Sequence, residues 1–218
     1  MVKLAPIACS QALGLLMSEE PNLRRFAVAL GTMYGMEPSQ WPEAISYISK
    51  FTVLEGEHSF DTPTEASRVY ETILPHRGSL KLVHTYQHLH PDPNAPSGDF
   101  PLHFIMGQLC FPAERLSEEH FGVVPANYMT EGLAQLLAVA AATKGQIKEG
   151  YVPLLGKNLG DPLKPLPTKS ETPVWAIIAY AHDKELKRFA ACGLIGQETN
   201  LNYAGAVLGV SYPRCRLK

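Results

Sequence analysis

Residues 125–145 read PANYMTEGLAQLLAVAAATKG, and this stretch decides the fold. Between Leu133 and Ala142 the only polar side chain is Gln135, and a helix that is apolar all round belongs inside a protein. Glu131 and Gln135 are four residues apart, so they lie one turn apart on the same face of the helix. A buried carboxylate is costly unless it is paired, hydrogen-bonded or protonated. Glu131 is therefore the first candidate functional residue, and a water-facing residue of an early helical turn is the alternative interpretation.

Two strand patterns precede this helix. Residues 80–90 read LKLVHTYQHLH and residues 100–111 read FPLHFIMGQLCF. The loop between them contains three prolines and a glycine, which is typical of a turn region. Together they predict a long antiparallel hairpin.

After the helix, which we expect to end at Gly145, residues 156–173 are rich in glycine and proline, and no strand is predicted there. Three strand patterns follow, and a short HDKEL turn joins the first two, so a meander is predicted; they span residues 174–181, 187–196 and 204–212. The order of elements is thus two strands, a buried helix and three strands. An antiparallel sheet with one buried helix must curl around that helix, which gives an α+β fold.

The first 50 residues have a helical pattern. Apolar residues recur around Leu13 and Leu16 and again around Phe26 and Leu30, with proline breakers at positions 21 and 38. A further short helix is predicted near residues 41–48, and residues 64–72 are expected to form another helical turn or two.

The composition excludes several classes of protein. A chain of 218 residues with 45% hydrophobic and 18% charged residues is globular. Its net charge of −2 offers no basic face for nucleic acid. Four scattered cysteines suit a reducing compartment and argue against structural zinc. No apolar run approaches the roughly 20 residues that span a bilayer. We therefore expect a cytoplasmic protein that does not enter a membrane.

Several segments resemble the hotdog-fold 3-hydroxyacyl-(acyl-carrier-protein) dehydratases. Residues 74–77, LPHR, followed by a strand, resemble that family's LPHR…LLV opening. The family continues with GHFPGDPVMPG and a helix that reads ExMAQ; here the counterparts are HFGVVP at 120–125 and EGLAQ at 131–135. Residues 163–167, LKPLP, resemble the family's FKRPVVPG. The likeness covers residues 74–212, but the step from the histidine to the glutamate is three residues shorter than in the family.

The resemblance implies a hotdog fold, in which a curled antiparallel sheet surrounds a long central helix. It divides the chain into a helical N-terminal extension, residues 1–70, and a hotdog domain, residues 71–218. In this family the two catalytic residues come from opposite subunits, so a homodimer is implied. We expect the extension to pack on the outer surface of the sheet or on the dimer partner.

The resemblance also implies a reaction, the dehydration of 3-hydroxyacyl thioesters in fatty-acid-like or polyketide-like synthesis. His120 would be the base for the α-proton, because a neutral imidazole titrates near the operating pH. Glu131 would protonate the departing hydroxyl. The N–H of Ala126, which replaces a family glycine, would polarise the thioester carbonyl. Gln135 would orient Glu131 or hold a water.

The remaining implied assignments concern the substrate. It would be linked to acyl carrier protein or to coenzyme A, and neither a metal nor a cofactor would be needed. Pro125 and Tyr128 are the implied substrate-binding residues.

Other interpretations stay open. A hotdog thioesterase would use Glu131 to activate water, and a non-catalytic module would bind acyl thioesters or a partner. A histidine-rich metal site on the hairpin is conceivable, although no carboxylate is interleaved there; its members would be His84, His88, His90 and His103. Basic residues could attract an acidic carrier protein, but a solvated hairpin tip is the plainer interpretation; these are Lys184, Lys187, Arg188, Arg214, Arg216 and Lys218.

Overall fold

A computed structural model of the protein describes residues 9–34, 39, 59–74, 81–90, 103–113, 116, 122–147, 150–169, 172–185 and 187–213. The helices are α1 (Cys9–Ser18), α2 (Glu20–Tyr34), α3 (Ser67–Thr72) and α4 (Ala126–Thr143). The strands are β1 (Ser59–Phe60), β2 (Thr64–Glu65), β3 (Val83–His90), β4 (His103–Leu109), β5 (Tyr151–Pro162), β6 (Val174–Asp183), β7 (Arg188–Gln197) and β8 (Asn200–Pro213).

All the described strands belong to one antiparallel sheet. Its order is β1-β3-β4-β6-β7-β8-β5, and β2 also pairs with β3. The predicted hairpin is confirmed, because β3 and β4 pair along their length. The predicted meander is confirmed as well, since β6, β7 and β8 are successive neighbours.

Helix α4 lies in the concave face of the sheet and is buried on most sides. Leu133, Leu136 and Val139 are at most 1% exposed. Strand β7 approaches the helix closely at Gly193, where an added Cβ would lie 2.9 Å from the Leu133 side chain. The helix ends as predicted, with Gly145 in the left-handed region at φ +67. A curled antiparallel sheet around one long helix is the expected hotdog fold.

The convex face of the sheet is covered too, by α1 and α2. Successive side chains of β6 point into two different hydrophobic cores. Ala176 and Ile178 belong to the inner core, which surrounds α4, whereas Trp175 and Ile177 belong to the outer core, which includes the two N-terminal helices. The buried Asn22 side chain of α2 donates a hydrogen bond of 3.1 Å to a main-chain carbonyl of β7. The N-terminal helices therefore pack on the outer surface of the sheet, which was one of the two expected places.

Strand β5 was not predicted. It covers residues 151–162 and pairs with β8 along its length, although its second half falls in the segment rich in glycine and proline. The pairing shifts register at Gly156, which marks a bulge. Its prolines are tolerated because β5 lies at one end of the strand order, where a missing N–H costs no ladder bond.

Smaller differences concern the ends of elements. Residues 64–72 are not helical throughout, because Thr64–Glu65 pairs with β3 and only Ser67–Thr72 is helical. The strands β3 and β4 are shorter than predicted within the described residues. The short helix predicted near residues 41–48 lies outside them. Strands β1 and β2 lie before residue 71, in the segment that was predicted to be a helical extension. The predicted boundary between that extension and the hotdog domain, at residues 70 and 71, stays a prediction. No helix in the described ranges is both long enough and apolar enough to cross a membrane.

Candidate functional site

Glu131 lies in the second turn of α4 and is half-buried. The side-chain amide of Gln135, one turn further on, donates a hydrogen bond of 2.9 Å to Glu131 Oε1. Gln135 itself is 1% exposed. The helical spacing therefore brings a buried amide donor to a carboxylate at the edge of the core.

Gln135 is held from its other side by two donors. Its Oε1 accepts hydrogen bonds from the Tyr70 hydroxyl at 2.5 Å and from the Leu82 main-chain N–H at 2.9 Å. The Val83 N–H donates to the Tyr70 hydroxyl oxygen at 2.9 Å. Burial raises the pKa of Tyr70 to about 12, and the negative charge of Glu131 acts in the same direction. The phenol is therefore a neutral donor at physiological pH.

An apolar groove of about 180 Å³ begins at this carboxylate. It follows one face of α4, because Glu131, Ala134, Ala138 and Ala141 succeed one another at helical spacing. Ten residues of helix correspond to a length of about 15 Å. Strands β5, β7 and β8 form the opposite wall; the lining residues are Glu131, Ala134, Gln135, Leu137, Ala138, Ala141, Pro153, Leu154, Leu155, Phe189 and Gly209.

The N-terminus of α4 is built as the sequence suggests, with Pro125 as the N-cap and Ala126 as the first helical residue. The Val124 N–H donates to the Leu166 carbonyl at 2.8 Å, so the segment before the helix is fixed to the LKPLP segment. The first N–H groups of a helix have no acceptor within the helix, and the N–H of Ala126 is one of these groups. Pro125, Ala126 and Tyr128 do not line the groove; Tyr128 packs against the inner core.

His120 lies outside the described residues. Its pairing with Glu131 therefore stays a prediction. Among the predicted site residues, the structure brings Glu131 and Gln135 together and places Ala126 at the start of the same helix.

A second polar cluster lies at the opposite end of α4. The Tyr180 hydroxyl donates to Gln146 Oε1 at 3.2 Å, and the ring of His103 lies 5.1 Å from that of Tyr180. Burial lowers the pKa of His103, and the positive charges of Lys144, His182 and Lys184 lower it further.

The conceivable metal site has no support from the described residues. They contain no group of three or more histidine, cysteine, aspartate or glutamate side chains placed to hold a metal ion. His84 is exposed, whereas His88 is buried with Nε2 at 2.8 Å from the Thr143 hydroxyl. Two members of the basic clusters make local contacts: Lys187 donates to the Tyr151 hydroxyl and Arg188 to a main-chain carbonyl of α2.

Tyr70 and Phe189 are the site residues that sequence reasoning missed. Tyr70 is 65 positions from Gln135, and a tyrosine in a short helical pattern is ordinarily a core residue. Phe189 belongs to the apolar strand β7. An apolar strand pattern indicates that a side chain is buried, but not whether it lines a cavity or packs in the core.

No family model matches the chain. A search among curated proteins also finds no match. Solved structures with a related fold include a candidate thioesterase of Lactococcus lactis, 13% identical, which covers 53% of this chain and 91% of its own with a TM-score of 0.42. A chain of the ApeI:P dehydratase heterocomplex of Xenorhabdus doucetiae is 14% identical and covers 67% of this chain and 93% of its own, with a TM-score of 0.46. A hot-dog-like protein of Thermanaerovibrio acidaminovorans is 11% identical, with 54% and 85% covered and a TM-score of 0.39. Similarity this remote concerns the fold and indicates no reaction.

Proposed function

We propose that this protein is an enzyme that acts on acyl thioesters, with Glu131 as its catalytic carboxyl group. One observation carries the proposal: Glu131 lines an apolar groove and accepts a hydrogen bond from a buried amide. A carboxyl group beside a narrow apolar cavity suits a substrate with a polar reacting end and a hydrocarbon tail.

The groove is suited to a short or medium acyl chain. An apolar cavity of about 150 Å³ accommodates benzene, so a cavity of about 180 Å³ has room for about six carbons. Substrates of six to eight carbons are therefore expected to react best. The carrier, whether acyl carrier protein or coenzyme A, would remain outside the groove.

The proposed reaction is dehydration of a 3-hydroxyacyl thioester, for which the sequence resemblance supplies the support. His120 would take the α-proton, and the electron pair of that C–H bond would form the new double bond. The bond between the β-carbon and its hydroxyl would break as Glu131 gives the oxygen a proton, releasing water and a 2-enoyl thioester. The N–H of Ala126 would stabilise charge on the thioester oxygen.

One observation favours a second reaction, thioester hydrolysis. Gln135 donates an N–H to Glu131, and a hydrogen bond to a carboxylate favours its ionised form. An ionised Glu131 would act as a general base on water and would need no histidine partner. The His120→Ala variant separates the two, because it should abolish dehydration and leave hydrolysis unchanged.

The purified protein should be incubated with 3-hydroxyacyl and 2-enoyl thioesters of four to twelve carbons, linked to either carrier and followed by mass spectrometry. Loss or gain of one water, absent in the Glu131→Gln variant, is the expected result. Release of free acid would identify a thioesterase instead. Binding of thioester with no turnover in any member of the panel would refute catalysis and leave a binding module.

A further inference from the structure

The hydrogen bonds behind Glu131 have a fixed direction. A main-chain N–H can only donate, so the bond from Val83 obliges the Tyr70 oxygen to accept. The single hydroxyl proton of Tyr70 is then available for Gln135 Oε1, 2.5 Å away. Because Leu82 also donates to Oε1, that atom must be the carbonyl oxygen of the amide and not its nitrogen.

This direction determines what Glu131 receives. With the amide oxygen held by two donors, the amide nitrogen must face the carboxyl group, where it donates to Oε1 at 2.9 Å. Rotation of the amide by half a turn would set its N–H groups against the donors Tyr70 and Leu82. Tyr70 and Gln135 are each 1% exposed, so water cannot readily replace a lost partner.

We propose that Tyr70 is a positioning residue for Glu131, acting through Gln135 to fix the orientation of the carboxyl group. This inference rests on the proposed function, since it requires Glu131 to transfer a proton. It also gives the segment before the hairpin a part in the site, because Tyr70 is supplied by α3.

The test compares two tyrosine variants. Tyr70→Phe removes the hydroxyl and keeps the ring. Tyr180→Phe is the matched control, because its buried hydroxyl also donates to a glutamine, at the opposite end of α4 and away from the groove. Both are assayed with the thioester that the wild-type protein turns over best.

Tyr70→Phe should lower kcat by about tenfold to 100-fold while KM changes less than about twofold, since misplacing a reacting group affects the chemical step. The limb of the pH profile of kcat that reports the ionisation of Glu131 should move to higher pH, because the carboxylate then has a less firmly held donor. Tyr180→Phe should change neither quantity. In the Glu131→Gln background, Tyr70→Phe should have no further effect on any residual rate.

An unchanged kcat and pH limb in folded Tyr70→Phe would overturn the proposal, as would equal losses in the two tyrosine variants. If Tyr70→Phe does not fold, Gln135→Met breaks the same chain of bonds, and unchanged kinetics in that variant would overturn it equally. Full turnover in Glu131→Gln would instead refute the proposed function. The two failures are separable by NMR titration of the Glu131 carboxyl carbon, which should shift in Tyr70→Phe but not in Tyr180→Phe whether or not turnover occurs.

Discussion

Replacement of Gln135 by methionine should measure how much stability depends on one buried amide. Methionine has nearly the same length and shape but neither accepts strongly nor donates. The variant leaves the Tyr70 hydroxyl and the Leu82 N–H without their acceptor in a part of the core that is closed to water.

The expected loss follows from those two donors. Each buried polar group left without a partner costs about 1–3 kcal/mol. Burial of an apolar side chain in place of the amide offsets about 1 kcal/mol. The free energy of unfolding should therefore fall by about 3 kcal/mol. In a protein of this size each 1 kcal/mol corresponds to about 2–4 °C, so the melting temperature should fall by about 6–12 °C.

Urea and thermal unfolding followed by circular dichroism would measure the change. Gln146→Met is the matched control, because this glutamine is only half-buried and accepts a longer bond of 3.2 Å from Tyr180. We expect it to cost about 1 kcal/mol or less. A melting temperature of Gln135→Met within about 2 °C of the wild-type value, or equal to that of the control, would refute the reasoning.

Three further predictions concern β5, pH and the groove. Gly160→Ala should destabilise the protein by about 2 kcal/mol, because the added Cβ would overlap the Tyr203 hydroxyl. Gly156→Ala in the same strand should be nearly neutral, and equal losses of the two variants in urea unfolding would contradict the explanation. The pKa of His103 is lowered from 6.5, so on acidification the unfolded chain takes up a proton before the folded chain does, and stability should fall as the pH drops below about 6.5. His103→Gln should therefore reduce the difference between the unfolding free energies measured at about pH 7.5 and about pH 5.5, and an unchanged difference would exclude His103 as its cause. Phe189→Ala should move the best substrate by about two to four carbons toward longer chains, measured as kcat/KM across the thioester panel, and an unchanged optimum would mean that this ring does not limit the groove.

The sequence predicted the elements whose burial can be read from a run of apolar residues. The apolar run from Leu133 to Ala142 can be satisfied only by burial on all sides, and α4 lies inside the curled sheet accordingly. The strand patterns at 174–181 and 187–196 are apolar for two reasons at once, because one face packs on α4 and the other on the N-terminal helices.

The parts that the sequence did not predict depend on partners distant in the chain. Glycine and proline argue against a strand, yet β5 forms because β8 pairs with it and because Gly160 leaves room for the Tyr203 hydroxyl. Glu131 and Gln135 could be singled out because helical geometry relates them. Tyr70 could not, since only the folded sheet brings α3 to the same amide.

The docking of α2 on the outside of the sheet has a consequence for synthesis. Asn22 donates to the carbonyl of Gly193, 171 residues later in the chain. At about 5–20 residues per second, a ribosome needs about 10–35 seconds to pass from one to the other. The two N-terminal helices are therefore synthesised before the strands against which their apolar faces pack.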